Sequence, residues 1–531
     1  MIDRGTALAE FPSGGKETPP DAPLQKSLTI ADTMVQTSEG EMVSLDGYPV
    51  ATMKKEMTWL GILAAGYNMS NSWLVFSVTM IISLIYGPMV TLWTLICIPV
   101  IYFFIGITLA ELISAYPTTG GQYHWASLLA PKAVNRQVSY FTGFFNWFSW
   151  LAMAASSQGA VCQCVYALIY NANPNFVAHP WQSFLLFQSM NVLSLVANLF
   201  GHRGLPKFYT FGFVLSLASF FTIMITCLAR AEQKQDSSFV WLNYVETSGW
   251  PTGVEFLIAL TAPIIVFCPI NGCVHLVDEV INAPVVVPKT ILSALVISFV
   301  TTFAFALSML YCLTDMGAVL SNANGLPLFE IWLQATRSNA CSIVFTVLIL
   351  LMLPFGSIAC TQVASMMTMS LGRDKGLAFS SHLSKINPKL RVPVWSVLLN
   401  FGVMFLIGVL YLISSLAFNA TIGVAAIFQQ VTISVPPLLL LIRGRSEDML
   451  PSTRTFRVPN WLGYICNAGT VLIGLVTFVF FQFPATAPVS DPTDMNYACA
   501  VEGVVGLVAL GNWFFYARHR YQGPSAIELH H

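Results

Sequence analysis

Long uncharged apolar runs alternate along this chain with short breaks that are polar or rich in proline and glycine. A helix needs roughly 20 apolar residues to cross a bilayer, and runs of that length predict twelve spans. They lie near residues 59–86, 88–110, 138–170, 183–200, 206–229, 254–281, 290–313, 340–371, 392–413, 415–442, 461–483 and 496–517. Residues 1–57 mix charged residues with Ser, Thr, Gly and Pro and hold no apolar run of helix length, which predicts a disordered tail with no signal peptide. The pattern divides the rest into a core over 58–442, two further helices over 443–517 and a tail over 518–531.

Positive charge orients these spans, because loops on the cytoplasmic side retain Lys and Arg. With the N-terminus inside, 21 of the 24 Lys and Arg face the cytoplasm and only Arg230, Lys234 and Arg337 fall outside. An even number of spans then puts both termini in the cytoplasm. Composition agrees: 55% of residues are hydrophobic and 9% charged, against about 25% charged in soluble domains. A net charge of −1 with no basic block interleaved with aromatics gives no footprint for a nucleic-acid partner. The 11 cysteines are scattered, with no disulfide or metal-ligand spacing, and no cofactor or metal is expected.

Two spans are poor continuous helices. Span 1 carries Gly61, Gly66, Asn68, Ser70, Asn71 and Ser72 around its middle, and span 6 carries Pro263, Pro269, Asn271 and Gly272. Proline removes a backbone donor and clashes with the preceding turn, and backbone freed at that depth must be buried in protein or line a wet cavity. Spans 1 and 6 are five apart, the spacing of two inverted five-helix repeats whose half-helix ends build a site near the midplane. Few ionisable groups lie at depth, where charge is costly: Glu111 closes span 2, Glu255 opens span 6, His275, Asp278 and Glu279 occupy its cytoplasmic half, and Glu502 lies in span 12.

The stretch Glu111-Leu112-Ile113-Ser114-Ala115-Tyr116-Pro117-Thr118-Thr119-Gly120-Gly121-Gln122-Tyr123-His124-Trp125, followed by Leu129-Ala130-Pro131, resembles a known inner loop. It is similar to the loop after helix two in the fungal amino acid/choline/GABA permease branch of the amino acid–polyamine–organocation superfamily. Asn71-Ser72-Trp73 agrees with it, as do His275, Glu279, Ala283, Pro284 and Pro288, and Gly372-Arg373-Asp374-Lys375-Gly376-Leu377 with Asn387-Pro388 and Val392-Pro393. The resemblance covers about residues 55–520. It implies an all-α membrane protein of twelve transmembrane helices, a five-plus-five inverted repeat of the LeuT kind with helices 1 and 6 broken, followed by two C-terminal helices. It also implies a permease that carries a small nitrogenous solute by alternating access, with protons as the usual co-substrate.

Carried over by position, the resemblance puts Gly66, Asn68, Ser70 and Asn71 of span 1 and Phe267, Cys268, Asn271 and Gly272 of span 6 against the solute, with unwound backbone between. Ser157 and Gln158 of span 3 and Thr361 of span 8 complete the wall. Where several members that carry cations have an acid in span 6, this chain has Asn271. An amide cannot offset a full positive charge in a low dielectric, so a zwitterionic amino acid or GABA ranks above choline or a polyamine. Aromatic rings such as Tyr67, Trp147 and Phe267 keep choline on the list through cation–π contact. Glu279, Glu111 and His275 are the proton-coupling candidates, Glu279 first because it follows the broken helix. A nutrient-sensing receptor on the same scaffold is the other reading. An enzyme is not expected, since no nucleophile–base pair, HExxH or phosphate-binding glycine loop occurs. The resemblance points to the plasma membrane, with the vacuolar membrane as the alternative.

Overall fold

The computed structural model describes residue 55, residues 57–201, 204–246, 248–321 and 326–524, and the backbone of 34–36 and 42–44. Taken by itself, the N-terminal unit shows a two-stranded antiparallel ribbon, β1 (Met34–Gln36) and β2 (Met42–Ser44), with Val35 opposite Val43. The remainder of residues 1–54, expected as a disordered tail, lies outside the described residues.

The second unit is helical. Eleven helices among the described residues are long and apolar enough to cross a membrane. The expected first span completes twelve; it is divided into Trp59–Ser70, Ser72–Thr79 and Ile81–Leu84. Spans 2 to 5 are Pro88–Ala115, Asn135–Ala172, Pro180–Phe200 and Leu205–Arg230. Span 6 is Thr252–Glu279, and spans 7 to 10 are Ala283–Cys312, Asn339–Arg373, Val394–Ile413 and Ser415–Arg443. Spans 11 and 12 are Asn460–Phe480 and Ala498–Arg520.

Packing follows an inverted repeat. Span 2 lies along span 7, span 3 along span 8 and span 4 along span 9, while span 1 packs on span 6. Each of these elements therefore meets its own counterpart, as a two-fold axis in the membrane plane requires. The symmetry extends to the connections. A helix between spans 2 and 3 (Gln122–Leu129) rests on spans 3 and 10, and its counterpart between spans 7 and 8 (Pro327–Thr336) rests on spans 8 and 5.

The break in span 1 is narrower than its sequence suggests. Gly66, Asn68 and Ser70 are helical, and only Asn71 leaves the helix, at φ 28° and ψ 59°. Small residues weaken a helix by less than an unmet backbone bond costs in lipid. Asparagine takes the left-handed conformation more readily than most residues. Span 6 changes geometry instead of unwinding. After helices Thr252–Ala259 and Thr261–Phe267, it continues as a 3₁₀ helix of 12 residues, Cys268–Glu279. Such runs rarely exceed about four residues and mark hinges. At the start of span 1 and the end of span 6, the Met57 N–H donates to Glu279 O (2.9 Å) and the Ile281 N–H to Met57 O (3.2 Å). These two ends are thus joined by backbone.

The C-terminal segment is also built in. Span 12 passes through a π-helical turn, Trp513–Ala517, and Tyr521 beyond it is wholly buried. The Tyr521 hydroxyl lies 2.6 Å from Ser139 Oγ, and Arg136 donates to the carbonyls of Tyr521 (2.8 Å) and Arg518 (2.9 Å). Burial, and after it the Asp374 carboxylate, pushes the Tyr521 phenol well above its ordinary range, so it stays protonated.

Candidate functional site

Close approach of spans 1 and 6 defines the site. A Cβ on Gly66 would stand 2.4 Å from Cys273 Sγ, and one on Gly272 would stand 2.2 Å from Met69 Sδ and 2.9 Å from Trp150. At either place an added Cβ would force the facing side chain to shift. Between them Asn271 is fully buried, and its Oδ1 accepts from Gln429 Nε2 of span 10 at 2.6 Å. Its Nδ2 has no protein partner among the described residues. A buried N–H left unmet costs about 1–3 kcal/mol, which a bound solute or a water removes by accepting from it.

Phe267 and Cys268 line the next turn. The Phe267 ring lies 5.6 Å from Tyr102 of span 2, and Gln430 Nε2 donates to the Tyr102 hydroxyl (2.8 Å) with Cys268 Sγ at 3.9 Å. The Tyr102 hydroxyl in turn donates to Ile264 O at 3.1 Å, holding the outer half of span 6 against span 2. On the wall formed by spans 3 and 8, Gln158 donates to Ser357 Oγ (3.2 Å), Thr361 to the Ser357 carbonyl (2.5 Å) and half-buried Ser157 to Leu353 O (3.3 Å). Gly356 lets span 8 approach the backbone of span 1, since its Cβ would stand 2.9 Å from Asn68 O.

Three residues expected in the site point elsewhere. Asn68 Nδ2 donates to Tyr209 O of span 5 (2.7 Å), and Asn71 Oδ1 accepts from Ser216 of the same span (2.8 Å). Ser70 donates back into its own helix, to Tyr67 O. Asn68, through its Nδ2, and Asn71 thus secure span 1 to span 5, while Gly66 meets span 6.

The proton-coupling candidates have unlike surroundings. Glu111 is buried between Arg445 (2.5 Å) and Arg454 (3.2 Å), which fasten the C-terminal end of span 2 to the connection between spans 10 and 11. Glu279 accepts from Gln362 Nε2 of span 8 at 2.8 and 3.1 Å, and Gln362 Oε1 accepts from the Tyr209 hydroxyl at 2.6 Å. A single amide therefore joins spans 5, 6 and 8. His275 is buried with Nδ1 2.8 Å from Thr119 O and Nε2 3.4 Å from Asn146 Nδ2. A carbonyl only accepts, so Nδ1 carries a hydrogen toward Thr119 O. Asp278 pairs with Arg373 at 3.4 Å, Glu255 accepts from the Tyr244 and Ser248 hydroxyls, and Glu502 accepts from Gln482 at 2.7 Å.

Sequence reasoning missed Ser149, Trp150, Gln429 and Gln430. Two adjacent amides at 429–430 in an otherwise apolar span were the visible signal; which face of span 10 they occupy depends on contacts more than 150 residues away.

Comparison with known proteins agrees with this architecture. A yeast choline transporter (Saccharomyces cerevisiae) is 32% identical over 464 residues, covering 86% of this chain and 80% of its own. A swainsonine transporter of Arthroderma benhamiae is 30% identical over 479 residues, covering 88% and 92%. Among solved structures, MhsT in complex with L-phenylalanine superposes with a TM-score of 0.56 at 11% identity, over 80% of this chain and all of that one. A manganese transporter of Eremococcus coleocola superposes at 0.52 with 13% identity, over 88% and 97%. These two likenesses establish the fold alone. The amino acid permease family model matches residues 57–507, and the chain belongs to that family, in the fungal branch of the amino acid–polyamine–organocation superfamily.

Proposed function

We propose that this permease is a secondary active transporter that imports a zwitterionic amino acid or GABA by alternating access, in symport with protons. The observation that carries the reading is the buried, unmet N–H of Asn271, set where spans 1 and 6 touch through Gly66 and Gly272. A solute with a carboxylate supplies the acceptor that this N–H lacks, and hydrogen bonds to charged groups are the stronger kind. We assign coupling to Glu279. Its protonation changes what Gln362 holds together, and spans 5, 6 and 8 must shift if the site is to open inward. Glu111 fits coupling poorly, because neutralising it would strand two guanidinium groups. The termini are assigned to the cytoplasm and the protein to the plasma membrane.

A second reading is a choline permease. The similarity to a choline transporter favours it, and Trp150 and Phe267 place aromatic rings near Gly272 and Asn271.

The test is uptake of radiolabelled GABA, neutral and basic amino acids, choline and putrescine in transporter-deficient yeast, at acidic and near-neutral pH, with and without a protonophore. Saturable, protonophore-sensitive uptake of a zwitterion is expected, and Asn271→Asp should shift selectivity toward choline or putrescine by about tenfold or more. Selective choline uptake by the wild-type protein would replace the first reading with the second.

A further inference from the structure

The amide chain behind Asn271 has a direction. The one hydroxyl hydrogen of Ser149 in span 3 is shared between the Asn146 carbonyl, at 2.7 Å, and Gln429 Oε1. Gln429 Nε2 then donates to Asn271 Oδ1 at 2.6 Å, and the free end of the chain is Asn271 Nδ2. Ser149, Gln429 and Asn271 are all fully buried, so bulk water does not reorganise the chain. An amide has one donor end and one acceptor end. Whichever end Gln429 engages on Asn271, the opposite end is left for the solute.

We propose that Gln429, held by Ser149, is a positioning residue for substrate selection: it occupies the Asn271 oxygen and so makes Asn271 present a hydrogen-bond donor to the solute. The class selected is a solute with an anionic or strong acceptor group, such as the carboxylate of an amino acid, over one whose polar end is a cation. This rests on the substrate site proposed above. It assigns to span 10 a part in selection exercised through span 6, with no need for span 10 to touch the solute.

Two substitutions reverse or release the chain. In Gln429→Glu the ionised side chain offers acceptors alone, so Asn271 must turn its Nδ2 toward residue 429 and offer Oδ1 to the solute; the protonated acid, which burial favours, donates through its O–H and retains the wild-type direction, so the ratio for this variant is read at the more alkaline pH. Ser149→Ala adds no charge and removes the donor that fixes Gln429. The experiment measures uptake of a zwitterion and of choline in the same cells, normalised to surface protein, for the wild type, both variants and Ser149→Thr, which keeps the hydroxyl. The zwitterion-to-choline ratio is expected to fall about tenfold or more in Gln429→Glu, to fall less in Ser149→Ala, and to stay near wild type in Ser149→Thr. A loss of packing alone would lower both uptakes and leave their ratio in place. If the wild type prefers the zwitterion and the ratio moves by less than about twofold in both Gln429→Glu and Ser149→Ala, the positioning role is wrong while the substrate reading stands. If the wild type prefers choline and the variants still move the ratio, the substrate reading fails and the positioning role stands.

Discussion

At the scale of single residues, two buried carboxylates, Glu111 and Glu279, do opposite kinds of work. Glu111 sits between two guanidinium groups, and Arg445 beside it is itself buried. Removing one partner of such a cluster leaves uncompensated charge and costs about 3–5 kcal/mol. Glu111→Gln should therefore lower the thermal midpoint of the detergent-solubilised protein and its surface level together. Glu279 is held by an amide, a contact that a neutral side chain of the same shape keeps in part. Glu279→Gln should reach the surface at near wild-type levels, bind substrate, and lose the rise in uptake at acidic pH. Wild-type pH dependence in Glu279→Gln would exclude it as the coupling group, and a normal midpoint in Glu111→Gln would remove the structural role given to that pair.

At the scale of elements, the two interrupted spans work as a pair because glycine lets them touch. Gly66→Ala would drive a methyl into Cys273, and shortening Cys273 should relieve it. Uptake is expected to fall about tenfold or more in Gly66→Ala and to return substantially in Gly66→Ala with Cys273→Ala; additive losses in the double variant would mean the two residues do not share one space. Positions of the interrupted spans were legible from Pro269, Gly272 and the polar group at 66–72, and the twelve spans from apolar length. Their local form was not. A membrane helix retains its internal bonds wherever it can, so the break contracted to Asn71, and span 6 tightened into a 3₁₀ helix without opening a loop. Asn68 and Asn71 of span 1 were legible as polar but not as meeting span 5. Residues 68, 70 and 71 project in three directions, and only the placement of Tyr209 and Ser216 decides which partners they meet.

At the scale of the whole molecule, the inverted repeat supplies the core, and the segment after span 12 seats against the start of span 3. Tyr521→Ala should empty a buried aromatic site and cost about 3–5 kcal/mol, whereas Tyr521→Phe gives up one hydroxyl contact worth about 1 kcal/mol. Thermal midpoints of the two variants should separate accordingly; equal midpoints would mean that the ring carries no load. The same contact also orders events during synthesis. Ser139 and Tyr521 are 382 positions apart, and at about 5–20 residues per second a ribosome takes about 20–80 s to cover that distance. For that time the seat at the start of span 3 is vacant while the membrane helices are already inserting. A newly made chain therefore differs from a finished one at Arg136 and Ser139 until its last helix has been made and seated.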